Sequence, residues 1–115
     1  MNIVILGPQG SGKGTQAELI AEKFNLLHIE TGEILRKIAD SNNPLSKEIK
    51  RVMIEGKLVS DVILQKVLTN VMEDTKNKNG FIFDGTPRDI AQYDLMKEIL
   101  PLNLIITRLF SVKVK

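Results

Sequence analysis

The chain lacks cysteine and tryptophan, and it has one histidine, His28. Without thiols, disulfide scaffolds, thiolate metal sites and cysteine nucleophiles are excluded. A lone histidine excludes a histidine-rich metal centre and any triad that needs a second one. A dominant charge is also missing: 16 Lys and Arg face 14 Asp and Glu, a net charge of +2. That excess is too small to point to nucleic acid or an anionic membrane as the partner. No apolar run approaches the roughly 18–20 residues of a membrane span. The opening Met1-Asn2-Ile3-Val4-Ile5-Leu6 has no basic segment, and its apolar run is too short for a signal peptide. A soluble, cytoplasmic protein is expected. What remains is ordinary for a globular chain: 115 residues, 43% apolar and 26% charged. That is enough for one domain with a real core.

Residues 2–6 form a β-branched apolar run without polar alternation, which predicts a strand buried on both faces. Gly7 to Thr15 reads GPQGSGKGT, with four glycines in nine residues. Ala17, Ile20, Ala21 and Phe24 then recur at helical spacing and predict a buried stripe. Leu26 to Ile29 reads as a second strand. Residues 31–72 turn helical. Ile34, Leu35, Ile38 and Ala39 mark one helix, and Asn42-Asn43-Pro44 breaks it. Leu45, Ile49, Val52 and Met53 mark another, stopped by Gly56. Ser60 is the expected N-cap of a third, carrying Leu64, Val67, Leu68 and Val71. A turn at 77–80 leads to the strand Phe81-Ile82-Phe83-Asp84. Ala91, Leu95 and Ile99 give a further helix that Pro101 ends. Leu104-Ile105-Ile106 reads as the last strand, and Ser111 to Lys115 alternates weakly. Strands alternating with helices predict an α/β fold on a parallel sheet, with the helical stretch 31–72 inserted at its edge.

Gly7-Pro8-Gln9-Gly10-Ser11-Gly12-Lys13 fits G-x-x-x-x-G-K between a predicted strand and a predicted helix, the context of a phosphate-binding P-loop. Glycines let successive N–H groups turn inward toward phosphate oxygens. The helix N-terminus adds partial positive charge, and Lys13 adds a full one. Gly14 follows Lys13 where the general motif has Ser or Thr, so the usual side-chain Mg²⁺ ligand is absent there. Thr15 stands one step later.

Four segments together resemble the adenylate kinase family of nucleoside monophosphate kinases. They are GPQGSGKGTQ, Thr31-Gly32-Glu33-Ile34-Leu35-Arg36, Gly56-Lys57-Leu58-Val59 and Gly80-Phe81-Ile82-Phe83-Asp84-Gly85-Thr86-Pro87-Arg88. The likeness covers about residues 1–106. It implies a P-loop nucleoside triphosphate hydrolase-like parallel sheet with helices on both faces and a helical monophosphate-binding insert at about 31–72. It implies transfer of the γ-phosphoryl of ATP to AMP with Mg²⁺. Gly10, Ser11, Gly12, Lys13, Gly14 and Thr15 would hold the ATP phosphates. Thr31 and Gly32 would meet the adenine of AMP, and Arg36 and Arg88 would grip its phosphate. Lys57, Leu58 and Val59 would line its ribose and base, and Gly85 would approach its phosphate. Gln92 would read the adenine edge. Asp84 would orient Mg²⁺ through water, with no direct protein ligand to the metal. Catalysis would rest on Lys13, Arg88 and Asp84.

The departures are also legible. Thr86 stands where the family usually has Phe, Glu33 where Asp is common, and the P-loop proline sits one place early at position 8. The family continues into a lid whose arginines reach the transferring group. Here the arginines are Arg36, Arg51, Arg88 and Arg108, of which only Arg36 and Arg88 match motif positions. Residues 107–115 do not resemble the family, so the chain reads as truncated or altered near residue 107. A nucleotide-binding fragment with little turnover, and a P-loop kinase for another small acceptor, are the alternative readings. If strand 104–106 is an edge, self-association through it is expected. Plainer readings stand beside the individual residues. Asp84 also suits a turn cap, Arg36 a surface helix arginine and His28 a strand position. Asp89 and Gln92 also have capping-box spacing.

Overall fold

The computed structural model describes residues 1–7, 12–73, 79–101, 103–106 and 111–113. The elements in chain order are β1 (Asn2–Ile5), α1 (Lys13–Phe24), β2 (Leu27–Glu30), α2 (Thr31–Ala39), α3 (Ser46–Ile54), α4 (Asp61–Glu73), β3 (Phe81–Asp84), α5 (Ile90–Ile99), β4 (Leu104–Ile106) and β5 (Ser111–Lys113). They form one sheet in the order β2-β3-β1-β4-β5. The pairs β2–β3, β3–β1 and β1–β4 are parallel, and β5 returns antiparallel to β4.

The unbroken apolar strands are buried on both faces, as their composition requires. Alternate residues of one strand serve different cores. Ile3 and Ile5 of β1 and Ile82 of β3 pack with Ala17 and Ala21 of α1. Val4 and Phe83 point the other way, into a larger cluster with Leu64 and Leu68 of α4 and Met96 of α5. α1 therefore covers one face, and α4 and α5 cover the other.

Local signals set the boundaries. Asn25, at φ 53, caps α1 in the left-handed conformation. Asn43 Oδ1 accepts from the Leu45 N–H at 2.8 Å in the break between α2 and α3. Ser60 Oγ accepts from the Ile63 N–H at 3.3 Å and caps α4.

Three expectations are corrected. Phe24 is not part of the buried stripe of α1. It is exposed at the helix end, with the Lys23 ammonium over its ring. On α5 the inward face is Gln92 and Met96, while Ala91 is exposed. Leu95 and Ile99 pack against the larger cluster as expected, but in the first turn the polar Gln92 faces inward in place of Ala91. Strand β4 is not an edge, because β5 pairs with it through Ile105 opposite Val112. The expected self-association through residues 104–106 therefore loses its basis, and the sheet ends on β2 and β5. Gly10 and Ser11 lie outside the described residues. No helix among the described residues is long and apolar enough to cross a membrane.

Candidate functional site

The parallel strands β1 and β3 end side by side, Ile5 opposite Asp84, and β2 ends at Glu30 opposite Asp84. Ligands gather at such carboxyl ends because the loops and helix starts that follow bring unpaired backbone groups together. α1 starts here. Its cap is Gly12 at φ 85, a left-handed conformation open to glycine. Among the described residues no side chain caps the helix, and its first turn has no acidic residue. Its leading N–H groups and the helix dipole are thus offered to an anion.

Lys13 opens α1 and pairs with Asp84, whose residue is 2% exposed. His28 Nε2 lies 3.3 Å from the other carboxylate oxygen. Asp84 therefore spends its side chain on Lys13 and His28, not on capping the turn after it. Gly12, Lys13, Gly14 and Thr15 share one space with Glu30, Arg36 and Asp84. A Cβ on Gly14 would lie 3.7 Å from Asp84 Oδ2, so the backbone passes close to the carboxylate.

A second cavity of ≈ 260 Å³ lies between α2, the turn after α3, α4 and the segment after β3. All the expected acceptor-side residues line it: Thr31, Gly32, Arg36, Lys57, Leu58, Val59, Gly85, Arg88 and Gln92. Its apolar walls are Leu35, Met53 and Leu64. A concave apolar pocket with a few polar groups is the usual form of a small-molecule site.

Gln92 takes part in the helix start and also lines the cavity. Asp89 caps α5 by accepting the Gln92 N–H at 2.8 Å. Gln92 Oε1 in turn accepts the Arg88 N–H at 2.8 Å. That bond requires the oxygen on the backbone side, which leaves the amide NH₂ as the pocket-facing donor. Arg88 Nε donates to the Gly85 carbonyl at 3.1 Å, and Gly85 sits at φ 95, where a side chain would be strained.

The cavity also borders the Lys13 region. Gly85 and Arg88 line it and also line a neighbouring space of ≈ 380 Å³ that reaches Lys13 and Glu30. Among the described residues no group of three or more His, Asp or Glu could hold a metal ion.

Comparison with known proteins matches residues 5–115 to the adenylate kinase family model, which corrects the expectation that the likeness ends near residue 106. The chain belongs to the adenylate kinase family. It is 48% identical over 101 residues to an adenylate kinase of Methanothrix thermoacetophila, covering 88% of this chain and 47% of that protein. It is 44% identical over 100 residues to one from Clostridium tetani, covering 87% and 46%. A Francisella philomiragia adenylate kinase is 40% identical over 115 residues, covering 100% and 52%. The chain thus spans about half the length of the curated relatives it matches.

Two features of this adenylate kinase family chain escaped sequence reasoning. Thr86, noted only as a departure, is 2% exposed and its hydroxyl lies 2.7 Å from that of Thr31 at the cavity wall. Glu30, which no motif singled out, caps α2 and lines the spaces around Lys13. An acidic residue just before Thr31-Gly32 was the available signal, since Glu30 and Glu33 have the spacing of a helix start.

Proposed function

We propose that this chain forms the nucleotide-binding part of a nucleoside monophosphate kinase that moves the γ-phosphoryl of ATP to AMP, giving two ADP. One observation carries the reading: a cavity lined by Arg36 and Arg88 shares Gly85 and Arg88 with the neighbouring space that Lys13 lines. A phosphate held by Lys13 and the head of α1 would thus face a phosphate held by Arg36 and Arg88. Helices α2 to α4 act as the monophosphate-binding insert.

Phosphoryl transfer asks for alignment and charge neutralisation more than covalent help. In this reading, Lys13 and the leading N–H groups of α1, with Gly10 to Thr15, hold the donor phosphates. The apolar walls and Lys57 to Val59 hold the acceptor's base and ribose. The NH₂ of Gln92 and the Thr31 hydroxyl set its edge. Asp84 is one hard carboxylate oxygen donor close to the P-loop, which suits Mg²⁺, an ion that keeps several waters and takes few protein ligands. Asp84, through water, and Thr15 would hold the ion, which supplies charge neutralisation to the donor phosphates.

A second reading has support of its own. Arg36 and Arg88 lie at the acceptor cavity, and Arg51 pairs with Glu55 on the far side of α3. No other described arginine reaches the junction. These 115 residues would then bind both nucleotides and transfer slowly. Calorimetric titration with ATP and AMP, beside a coupled assay for ADP, tests both readings. Binding with slow ADP formation supports the fragment reading. Failure to bind AMP would overturn the assignment of the acceptor cavity.

A further inference from the structure

Glu30 has the wrong charge for a phosphate site, yet it lines the spaces between Lys13 and the two arginines of the cavity. It ends β2 and caps α2. Its Oε1 accepts the Gly32 N–H at 3.0 Å, and its Oε2 accepts the Glu33 N–H at 2.8 Å. Arg36 adds a guanidinium contact to Oε2 at 3.3 Å. Two helix N-terminal N–H groups and an arginine are also what a phosphate monoester would seek. The chain thus places its own carboxylate among an incoming phosphate's partners. The same side chain lines the spaces that link Lys13 to Arg88 and Lys13 to Arg36.

We propose that Glu30 is a positioning residue that holds Arg36 in the empty site and lowers the site's affinity for the acceptor's phosphate. This rests on the reading of that cavity as the monophosphate site. A phosphate that recruits Arg36 must draw it from Glu30 or share it beside a like charge, and either way part of the binding energy is lost. The Arg36 side chain is 56% exposed and that of Glu30 is 26% exposed. The pair is half solvated, so the effect is modest, about two- to five-fold in affinity.

The test is calorimetric titration of the full chain with AMP and, separately, with adenosine, which has the base and ribose but no phosphate. Two variants remove the charge: Glu30→Gln keeps the length, and Glu30→Ser keeps a favoured helix cap if the amide folds poorly. Both are expected to bind AMP about two- to five-fold tighter with adenosine unchanged. In an Arg36→Ala background, Glu30→Gln is expected to bring no gain. Unchanged or weaker AMP binding in both folded variants overturns the proposal. So does a parallel change for AMP and adenosine, or a gain that survives the loss of Arg36. A wild-type chain that binds no AMP overturns the cavity assignment itself, a result distinct from AMP binding that ignores Glu30.

Discussion

Lys13 and Asp84 cannot be changed independently. Asp84 is buried and accepts from Lys13 and the His28 ring. Removing Lys13 leaves a buried carboxylate short of its main counter-charge, which costs about 3–5 kcal/mol where such pairs are broken. Lys13→Met is therefore expected to lose both ATP affinity, by about ten-fold or more, and stability. The double variant Lys13→Met with Asp84→Asn should regain most of the stability without regaining ATP binding. Urea unfolding and ATP titration on the three chains check this. Stability that does not recover would show that the two side chains are not coupled as described. The arginines divide differently. Arg88→Ala is expected to weaken AMP by roughly ten-fold, the scale of a charge-assisted contact, with ATP within about two-fold. Equal losses for both nucleotides would place Arg88 in the donor site.

At the scale of elements, helix ends were legible, as were the buried faces of α3 and α4, while the first turn of α5 was not. Ser60, Asn43 and Pro101 act on their own neighbours, so their roles are fixed within a few residues of chain. Asp89 belongs with them. Its carboxylate caps α5, so Asp89→Ala should cost about 0.5–2 kcal/mol. It should also weaken AMP binding, because Gln92 is oriented from the same helix turn. Thermal unfolding with and without AMP separates the two effects. Full stability after the substitution would mean that Gln92 and Arg88 hold the turn without the cap. The face of α5 could not be read in this way. Gln92 is 3% exposed, and a hydropathy pattern places an amide outside. Its burial depends on the Arg88 N–H and the Asp89 carboxylate, partners that exist only once the turn after β3 has formed.

For the whole molecule, the neighbouring cavities predict binding more surely than turnover. Charge spreads over the transferring group, and an arginine that reaches it can contribute about 10³–10⁵ in rate. Water must also be kept out. The described arginines at the site, Arg36 and Arg88, both line the cavity that we assign to the acceptor. We therefore expect ADP formation by these 115 residues to be slower, by about 10³ or more, than by the Francisella philomiragia relative assayed alongside. Comparable rates would mean that another cation of this chain reaches the junction.

The amino-acid sequence alone determined the strand-and-helix alternation and the glycine-rich approach to the first helix, and the resemblance of its motifs pointed to nine residues that the fold gathers around one cavity. The elements are legible because period and glycine spacing are local rules, whereas the cavity residues were reached only through the resemblance of four motifs to a family. Tertiary structure decided what depended on distant partners. Strand β5 converts residues 104–106 from an edge into an interior strand, and an alternation of three residues cannot say which neighbour it will find. Asp84 becomes a partner of Lys13 and His28 only because three parallel strands end at one level. Glu30 joins Arg36, and Thr86 meets Thr31, across 6 and 55 residues of chain. A charge or a hydroxyl does not carry in its type the identity of the group it will face. That is set when the sheet brings its strand ends together.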